Sequence, residues 1–136
     1  MTPTPHITYS FTRSIPLQQL RGLFQQTTWA ATRTVADIEV MLKATPIFLG
    51  AWHDDYLVGF ARVLTDDCYR AMVEDVIVEQ TLRGQGIGQA MMGHVLGRLK
   101  HVEEVLLFCV EERIPFYERL GFEQSTYPSV MKQRTQ

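Results

Sequence analysis

Several features that mark specialised classes of protein are scarce in this sequence. Among its 136 residues there are two cysteines, Cys68 and Cys109, which excludes the dense disulfide framework of a small secreted domain. We expect both to be reduced, largely buried thiols. Uninterrupted apolar runs are only a few residues long, whereas crossing a bilayer takes about 20. The opening segment MTPTPHITYS has neither the charged region nor the apolar stretch of a signal peptide. We therefore expect a cytoplasmic location and no membrane partner.

The net charge is small and the histidines are few, and neither indicates a nucleic-acid or a metal partner. The formal net charge of −2 offers no basic field for nucleic acid, so no nucleic-acid partner is expected. The four histidines are scattered and form no HExxH-like grouping, and we predict no metal site. What is present is the composition of a globular protein, 46% hydrophobic and 21% charged. The length predicts a single domain over residues 1–136.

Periodicity in the first third predicts one strand followed by two helices. HITYSFT alternates Ile7, Tyr9 and Phe11 with polar neighbours, as a half-buried strand does. A first helix is expected from an N-cap at Ser14 with Pro16 in its first turn. A second is expected from an N-cap at Thr34, with Asp37 three residues on.

The remaining two thirds predict a mostly antiparallel sheet with a crossover. IFLGAW and LVGFARVL, separated by HDDY, indicate a hairpin, and AMVEDVIV indicates the next antiparallel strand. A helix follows Gly88, then a buried strand in VEEVLLFCV, a short helix ending at Gly121 and a last strand near Tyr127 to Met131. The strands on either side of the crossover helix are expected to be parallel. The fold class is therefore α+β, with a mixed sheet and about four helices.

The glycine-rich stretch RGQGIG, residues 83–88, has three interpretations. It is a plain strand-to-helix turn, a nucleotide loop, or a pyrophosphate cradle at a helix start. A dinucleotide-binding GxGxxG would need its third glycine where Gln89 stands, and the lysine and hydroxyl of a GxxxxGK[ST] loop are absent. The plain turn and the pyrophosphate cradle both remain as interpretations. The cradle remains because the N-terminus of a helix attracts anions when no Cβ blocks their approach.

Two motifs together resemble the GNAT superfamily of N-acetyltransferases. VIVEQTLRGQGIGQAMM resembles its acetyl-CoA signature, with Arg83, Gly86 and Gly88 at the matching positions. About 30 residues later, IPFYERLGFE resembles its second signature, a tyrosine in a short helix followed by leucine, glycine and phenylalanine. The resemblance implies the GNAT fold with a splayed parallel strand pair, and acetyl-CoA as co-substrate without a metal.

The resemblance also implies which residues bind the cofactor. Pantetheine would lie in the gap between the splayed strands and pair with the backbone of Val76, Ile77 and Val78. The pyrophosphate would be held by the cradle residues, which are Arg83, Gly84, Gln85, Gly86, Ile87, Gly88 and Gln89. One departure is Val110, where family members often place a polar side chain against the cofactor.

For catalysis, Tyr117 is the predicted acid that protonates the leaving thiolate, and it also belongs to the cofactor site. A phenol, with a reference pKa near 10, can donate to a thiolate of about 8.5. The base is Glu74 or Asp75, or a water chain. Because successive strand residues face opposite ways, Glu74, which shares parity with Val76 and Val78, is preferred and Asp75 is second. Both carboxylates have an alternative as charges paired with Arg62 or Arg70.

The acceptor is less well defined. Trp29 and Arg33, between the first two helices, lie where the superfamily builds its acceptor pocket, and a helix-packing role explains them equally well. GFARVLTD followed by EDVIV is similar to the small plastid arylalkylamine branch. We therefore expect an acetyl-CoA-dependent N-acetyltransferase that acts on a small primary amine by direct attack in a ternary complex. Alternatives are a protein N-terminal or lysine acetyltransferase and a non-catalytic acyl-CoA-binding module. A homodimer is a further expectation.

Overall fold

A computed structural model describes residues 5–126 and 128–134 of the chain. Within these residues, five strands and four helices follow one another in the order β1 Thr8–Ser10, α1 Leu17–Phe24, α2 Val35–Ala44, β2 Ile47–His53, β3 Tyr56–Thr65, β4 Arg70–Val78, α3 Ile87–Arg98, β5 Glu104–Leu107 and α4 Ile114–Glu118. Short 3₁₀ turns at Gln80–Leu82 and Glu111–Arg113 precede α3 and α4. The expected α+β class is confirmed.

The strands form one mixed sheet in the order β1-β2-β3-β4-β5. The first three pairings are antiparallel, and β4 pairs with β5 in parallel, as the crossover predicted. The parallel pairing runs only from Arg70 opposite Glu104 to Val73 opposite Leu107. Beyond Val73, β4 continues to Val78 while β5 ends, so the two strands part at their carboxyl ends.

The two faces of the sheet carry separate apolar clusters. On one face α1 and α2 cover a cluster that includes Phe24, Trp52 and Phe60. On the other, α3 buries Met91 and Met92 against the sheet. Each cluster contains at least three side chains that are almost completely buried. Because helices cover both faces, the polar groups of a site are left to the strand ends and loops.

One of the two predicted helix starts is confirmed and the other is wrong. The Thr34 side chain accepts a hydrogen bond from the Asp37 N–H, 3.2 Å away, and caps α2. Ser14 does not cap α1. The helix begins at Leu17, and its N-cap residue, Pro16, is extended and provides no side-chain cap. The turn before α1 is instead held by Ser10, whose hydroxyl accepts from the backbone N–H groups of Thr12 and Arg13.

Three further expectations are wrong. No strand forms over residues 128–131, and Tyr127 lies outside the described residues. The four residues of β5 are half-buried rather than buried, because β5 lies at an edge of the sheet. Cys68, in the β3–β4 turn, and Cys109, just beyond β5, are free thiols but exposed. Over the described ranges, no helix is long and apolar enough to cross a membrane.

Candidate active site

A cavity of ≈ 930 Å³ opens where β4 continues past the end of β5. Its walls come from the last six residues of β4, the turn into α3, the chain after β5, the α4 helix and the chain after α1. The predicted site residues that line it are Trp29, Glu74, Asp75, Val76, Ile77, Val78, Arg83, Gly84, Gly86, Ile87, Gly88, Gln89 and Tyr117. Gln85 and Arg33 are not among the lining residues, although Arg33 contacts the site through Asp75.

A β-bulge in β4 sets the direction of its carboxylates. Phe60 of β3 lies opposite Ile77 and Arg62 lies opposite Glu74, so two β4 residues oppose one β3 residue. Asp75, the first residue of the bulge, has a φ of 52°, in the left-handed region that aspartate tolerates better than most residues. The alternation of side chains between the two faces of the sheet is therefore shifted by one residue at this point.

The bulge corrects the predicted parity of Glu74. Directly opposed residues of an antiparallel pair point to the same face, so Glu74 shares the α1–α2 face with Arg62. Val76 and Val78, beyond the bulge, pack against the α3-side cluster. Glu74 therefore does not share their face, and the expectation that it does is wrong. The extra residue also lets Asp75 join Glu74 on the α1–α2 face.

Asp75 is the most enclosed charged group of the site, with 2% of its side chain exposed. Its Oδ2 accepts from Arg62 Nε at 2.6 Å and from Arg33 Nη1 at 2.8 Å, and its Oδ1 accepts from Trp29 Nε1 at 3.3 Å. Burial on its own would raise the pKa of Asp75. Hydrogen bonds from Arg33 and Arg62 outweigh it and hold this pKa below the ordinary value. Asp75 is thus an ionised anchor joining β4 to the α1–α2 connection.

Trp29 and Arg33 are both held by this anchor, but they differ in access. The Trp29 side chain lines the cavity, and the residue is 60% exposed although its indole N–H is bonded. Arg33 lies behind it, with its guanidinium 4.7 Å from the centre of the Phe24 ring. Such an exposed but tethered indole is a fixed apolar surface at the mouth of the site.

The far end of β4 presents backbone groups to the gap beside β5. The Glu79 N–H donates to Val58 O at 2.8 Å, which directs that residue towards β3. Since backbone groups alternate in direction along a strand, Ile77 also faces β3 and Val78 faces the gap. The Val78 carbonyl accepts from Arg83 Nε at 3.1 Å. The gap therefore contains a strand edge and a cation side by side.

The turn into α3 leaves the helix N-terminus uncovered. Gly84 and Gly86 have φ values of 79° and 86°, and a Cβ built on either would meet no heavy atom within 4 Å. Gly86 is the N-cap of α3 and provides no side-chain acceptor for the first N–H groups. The first turn thus presents unpaired N–H donors and a partial positive charge. These features fit an anionic group such as a pyrophosphate.

Two residues that the sequence did not point to support this turn. Glu79 accepts from both the N–H and the hydroxyl of Thr81 at the start of the 3₁₀ turn. Gln26, just after α1, donates to Glu79 Oε1 at 3.1 Å and accepts from the Gln80 N–H at 2.9 Å. Gln26 and Gln80 are 54 positions apart, so no local pattern could have revealed the link.

Tyr117 is packed edge-on between two aromatic rings. Its ring centre lies 5.0 Å from that of Phe116 and 5.8 Å from that of Phe122, in T-shaped geometry. Burial raises the pKa of the Tyr117 phenol, the nearby Cys109 thiol adds to the rise, and Arg113 opposes it. The phenol is therefore protonated at neutral pH and lines the same cavity as Glu74.

In the part of the chain that is described, no group of three or more metal-ligating side chains occurs.

Comparison with known proteins agrees with this geometry. The sequence profile of the acetyltransferase (GNAT) domain matches residues 44–124, more than half of the chain. The chain belongs to the GNAT family of N-acetyltransferases. Proteins of this family use acetyl-CoA as the acyl donor. The match extends from the end of α2 to just beyond the tyrosine motif.

Individual relatives and a solved structure are similar over different lengths. An uncharacterised N-acetyltransferase, ycf52-like, from Prochlorococcus marinus is 31% identical over 84% of this chain and 66% of its own length. The chain thus spans just under two thirds of that relative. A chloroplastic serotonin N-acetyltransferase 2 from Oryza sativa is 37% identical over 48% of this chain and 34% of its own length. The crystal structure of a putative GNAT acetyltransferase from Xanthomonas campestris superposes with a TM-score of 0.85 at 28% identity, covering 98% and 96% of the two chains.

Proposed function

We propose that this domain transfers the acetyl group of acetyl-CoA to the primary amine of a small molecule, by direct attack with both substrates bound. The observation that carries the proposal is the shared cavity. One space of ≈ 930 Å³ is lined by an unpaired strand end, a bare helix N-terminus, a protonated tyrosine and a glutamate. Donor binding needs the first two features, and proton transfer needs the last two.

Donor binding is assigned to the backbone of β4 and α3. The first turn of α3 and the side chain of Arg83 bind the pyrophosphate, with Gly84 and Gly86 leaving room for its oxygens. The Val78 backbone, which faces the gap, pairs with the pantetheine arm once Arg83 leaves its carbonyl. When bound, acetyl-CoA supplies the thioester carbonyl that the amine attacks. Val110 lines this part of the cavity and offers an apolar contact in place of a polar one.

Glu74 is the proposed base. An incoming ammonium with a pKa near 10.4 has to lose a proton before it can attack. Asp75 is poorly suited to accept it, because three donors occupy its oxygens and its pKa is lowered. Glu74 is half-buried on the same face and lines the cavity. In this assignment Asp75 is a positioning residue, and a water chain from Glu74 to the amine is compatible with it.

Tyr117 is the proposed acid. Its raised pKa keeps the proton on the phenol until a thiolate forms at the donor sulfur. The flanking rings of Phe116 and Phe122 restrict the phenol to one orientation. Proton donation by a positioned side chain contributes about 10²–10⁴-fold to a rate.

A small amine is the proposed acceptor, bound against Trp29. The tethered, exposed indole provides apolar contact area beside Glu74, which suits the body of a compact amine. The similarity to a serotonin N-acetyltransferase supports the same class. A protein N-terminus or lysine is the alternative acceptor, and binding without turnover is the alternative from a different class. A cytoplasmic location remains part of this proposal.

The proposal is tested by measuring CoA release with a panel of primary amines and a panel of peptides. We expect turnover with small amines, and a fall in kcat of about 10²-fold or more for Tyr117→Phe. Glu74→Gln should lower the rate at neutral pH, where the amine is protonated, and should lose less at high pH. Tyr69→Phe is the matched control, since Tyr69 is exposed and is not among the cavity residues.

Three outcomes would count against particular parts of the proposal. Equal turnover by Tyr117→Phe and the native chain would exclude the acid assignment. Release with peptides alone would transfer the proposal to a protein acceptor. Tight CoA binding without release, whatever the amine or peptide, would identify a binding module.

A further inference from the structure

The 3₁₀ turn that leads from β4 to the glycine-rich residues is held by a side chain from another part of the fold. Gln26 is half-buried just after α1, and its Nε2 donates to Glu79 Oε1 at 3.1 Å. Its Oε1 accepts from the Gln80 N–H at 2.9 Å. An amide rotated by half a turn would point its NH₂ at an N–H and its oxygen at a carboxylate. The two hydrogen bonds therefore fix the Gln26 amide in one orientation.

Glu79, the partner of Gln26, is itself fixed at the start of this turn. Its Oε2 accepts from the N–H and the hydroxyl of Thr81. Its backbone N–H donates to Val58 O at 2.8 Å, and its carbonyl accepts from the Leu82 N–H at 2.9 Å. The position of Glu79 thus determines where the chain leaves β4 and how it turns.

The charge of Glu79 needs these donors. Burial on its own would raise the pKa of Glu79, but hydrogen bonds from Thr81 and Gln26 and the charge of Arg83 hold this pKa below its ordinary value. Glu79 is therefore ionised at neutral pH. Arg83 is also the proposed partner of the pyrophosphate, so its charge is engaged elsewhere once the cofactor binds. Gln26 and Thr81 then remain as the donors that hold the carboxylate.

The base of the Gln26 side chain is a closed turn. The Thr27 hydroxyl donates to the Phe24 carbonyl at 2.7 Å and accepts from the Ala30 N–H at 3.0 Å, and Thr27 is buried. Trp29 belongs to the same turn, and both Gln26 and Trp29 line the cavity. A side chain that starts from such a fixed backbone can determine the position of the chain that it contacts.

We propose that Gln26 is a positioning residue for acetyl-CoA. Through Glu79 and Gln80 it sets the path of the chain into residues 83–88, and with it the position of the N–H groups at the start of α3. The inference rests on the proposed function, from which it takes acetyl-CoA as the ligand of these groups. Gln26 precedes residues 44–124, the region that matches the family profile, so this support comes from outside the matching part of the chain.

Calorimetric titration of the full chain with CoA tests the proposal. Gln26→Glu places a second carboxylate against Glu79 and removes its donor, so the Kd for CoA should rise about tenfold or more. Gln26→Met has a similar length without the hydrogen bonds and should raise the Kd about three- to tenfold. Gln25→Glu is the matched control, because it makes the same charge change one residue earlier, at an exposed position that is not among the cavity residues. It should keep the native Kd.

The decisive variant exchanges the two side chains, Gln26→Glu with Glu79→Gln. The new carboxylate at position 26 can accept from the Gln80 N–H and from the new amide at position 79, whose oxygen can accept from Thr81. All the hydrogen bonds are thus re-formed at the same net charge, and we expect the Kd to return to within about threefold of the native value. A carboxylate that acted on the phosphates directly would keep the Kd high, because the exchange moves the charge to a residue that lines the cavity.

Two results would overturn the proposal. One is native affinity for CoA in both Gln26→Glu and Gln26→Met, and the other is an exchange variant that binds CoA no better than Gln26→Glu. Circular dichroism of each variant without CoA separates loss of binding from loss of the fold. If Gln26→Glu alone does not fold, the affinities of Gln26→Met and of the exchange variant relative to the native chain decide.

Failure of this inference is distinguishable from failure of the proposed reaction. A native chain that binds CoA and transfers no acetyl group contradicts the reaction, whereas the inference is still decided by the Kd values of the variants. A native chain that does not bind CoA overturns both.

Discussion

At the scale of single residues, Asp75 has two roles: it forms the β-bulge of β4 and it supplies a buried negative charge. Its carboxylate neutralises Arg62 and Arg33 and orients the indole of Trp29. Removing the charge leaves two cations facing one another across a neutral amide. The arginine side chains are 14% and 33% exposed, so solvent relieves part of this penalty.

Asp75→Asn should therefore lower the free energy of unfolding at neutral pH by roughly 1–3 kcal/mol. The folded-state pKa of Asp75 is lowered, so its stabilising contribution is present above the unfolded pKa, near 3.9, and is lost as the pH falls through the folded value. Urea unfolding of the native and variant chains should differ most near pH 6–7 and converge towards acid. Asp55→Asn, which removes a 99% exposed partner of Arg13, is the control and should change little at any pH. A difference that persisted at the acid extreme would argue against the charge as its cause.

Residues of the proposed site could be predicted from the sequence where they lie close together along the chain. The cradle glycines and Tyr117 belong to short motifs with fixed spacing, and the cavity brings both together. The sheet face on which Glu74 lies could not be predicted, because counting alternate residues assumes a regular strand and the bulge at Asp75 adds one residue. The Asp75 cluster joins residues 42 and 46 positions apart, a separation that periodicity does not report.

At the scale of elements, packing between α3 and β3 depends on a close approach at Gly59. A Cβ at this position would lie 2.6 Å from Met91 Sδ and 3.0 Å from the Ala51 Cβ. Met91 is fully buried, so its thioether has little room to move aside. Along the outer side of α3, by contrast, a Cβ at Gly93 would meet no heavy atom within 4 Å.

The two glycines thus predict opposite effects for the same substitution. Gly59→Ala should lower the free energy of unfolding by about 1–3 kcal/mol through overpacking. Gly93→Ala should raise it by about 0.5–1 kcal/mol, because alanine costs less entropy than glycine inside a helix. Denaturant titration of both variants beside the native chain gives the two signs in one experiment. A stabilising Gly59→Ala would mean that α3 lies further from the sheet than this packing implies.

Elements with a strong internal pattern were predicted well. The hairpin, the long third and fourth strands and the crossover helix all occur near their expected positions. The errors concern β5 and the segment near Met131, whose burial and pairing depend on what lies against them rather than on their own composition. Periodicity reports which face of a segment is apolar, but not whether another layer covers it.

At the scale of the whole molecule, the cavity lies between the proposed donor side and the proposed acceptor side, and only the donor side is covered by the family profile. The proposed donor side, from β4 to α4, lies within the region that matches the family profile, residues 44–124. The proposed acceptor side includes Trp29 from the α1–α2 connection, which precedes that region. The proposed donor side thus lies in the part of the chain that matches the family profile, and the proposed acceptor wall lies in the part outside it.

Donor binding should therefore stabilise the whole domain. CoA at about 100 times its Kd should add about 2.7 kcal/mol to the free energy of unfolding and raise the Tm by several degrees. Gly86→Val should abolish most of this shift, since the branched side chain enters the space in front of the α3 N-terminus and the φ of 86° disfavours it. The Tm of each variant without CoA is measured first, so that intrinsic strain is subtracted. Gly93→Ala, on the same helix but not among the cavity residues, should keep the full shift. If Gly86→Val retained the native Tm shift, the pyrophosphate would have to bind elsewhere, and residues 83–88 would be a plain strand-to-helix turn.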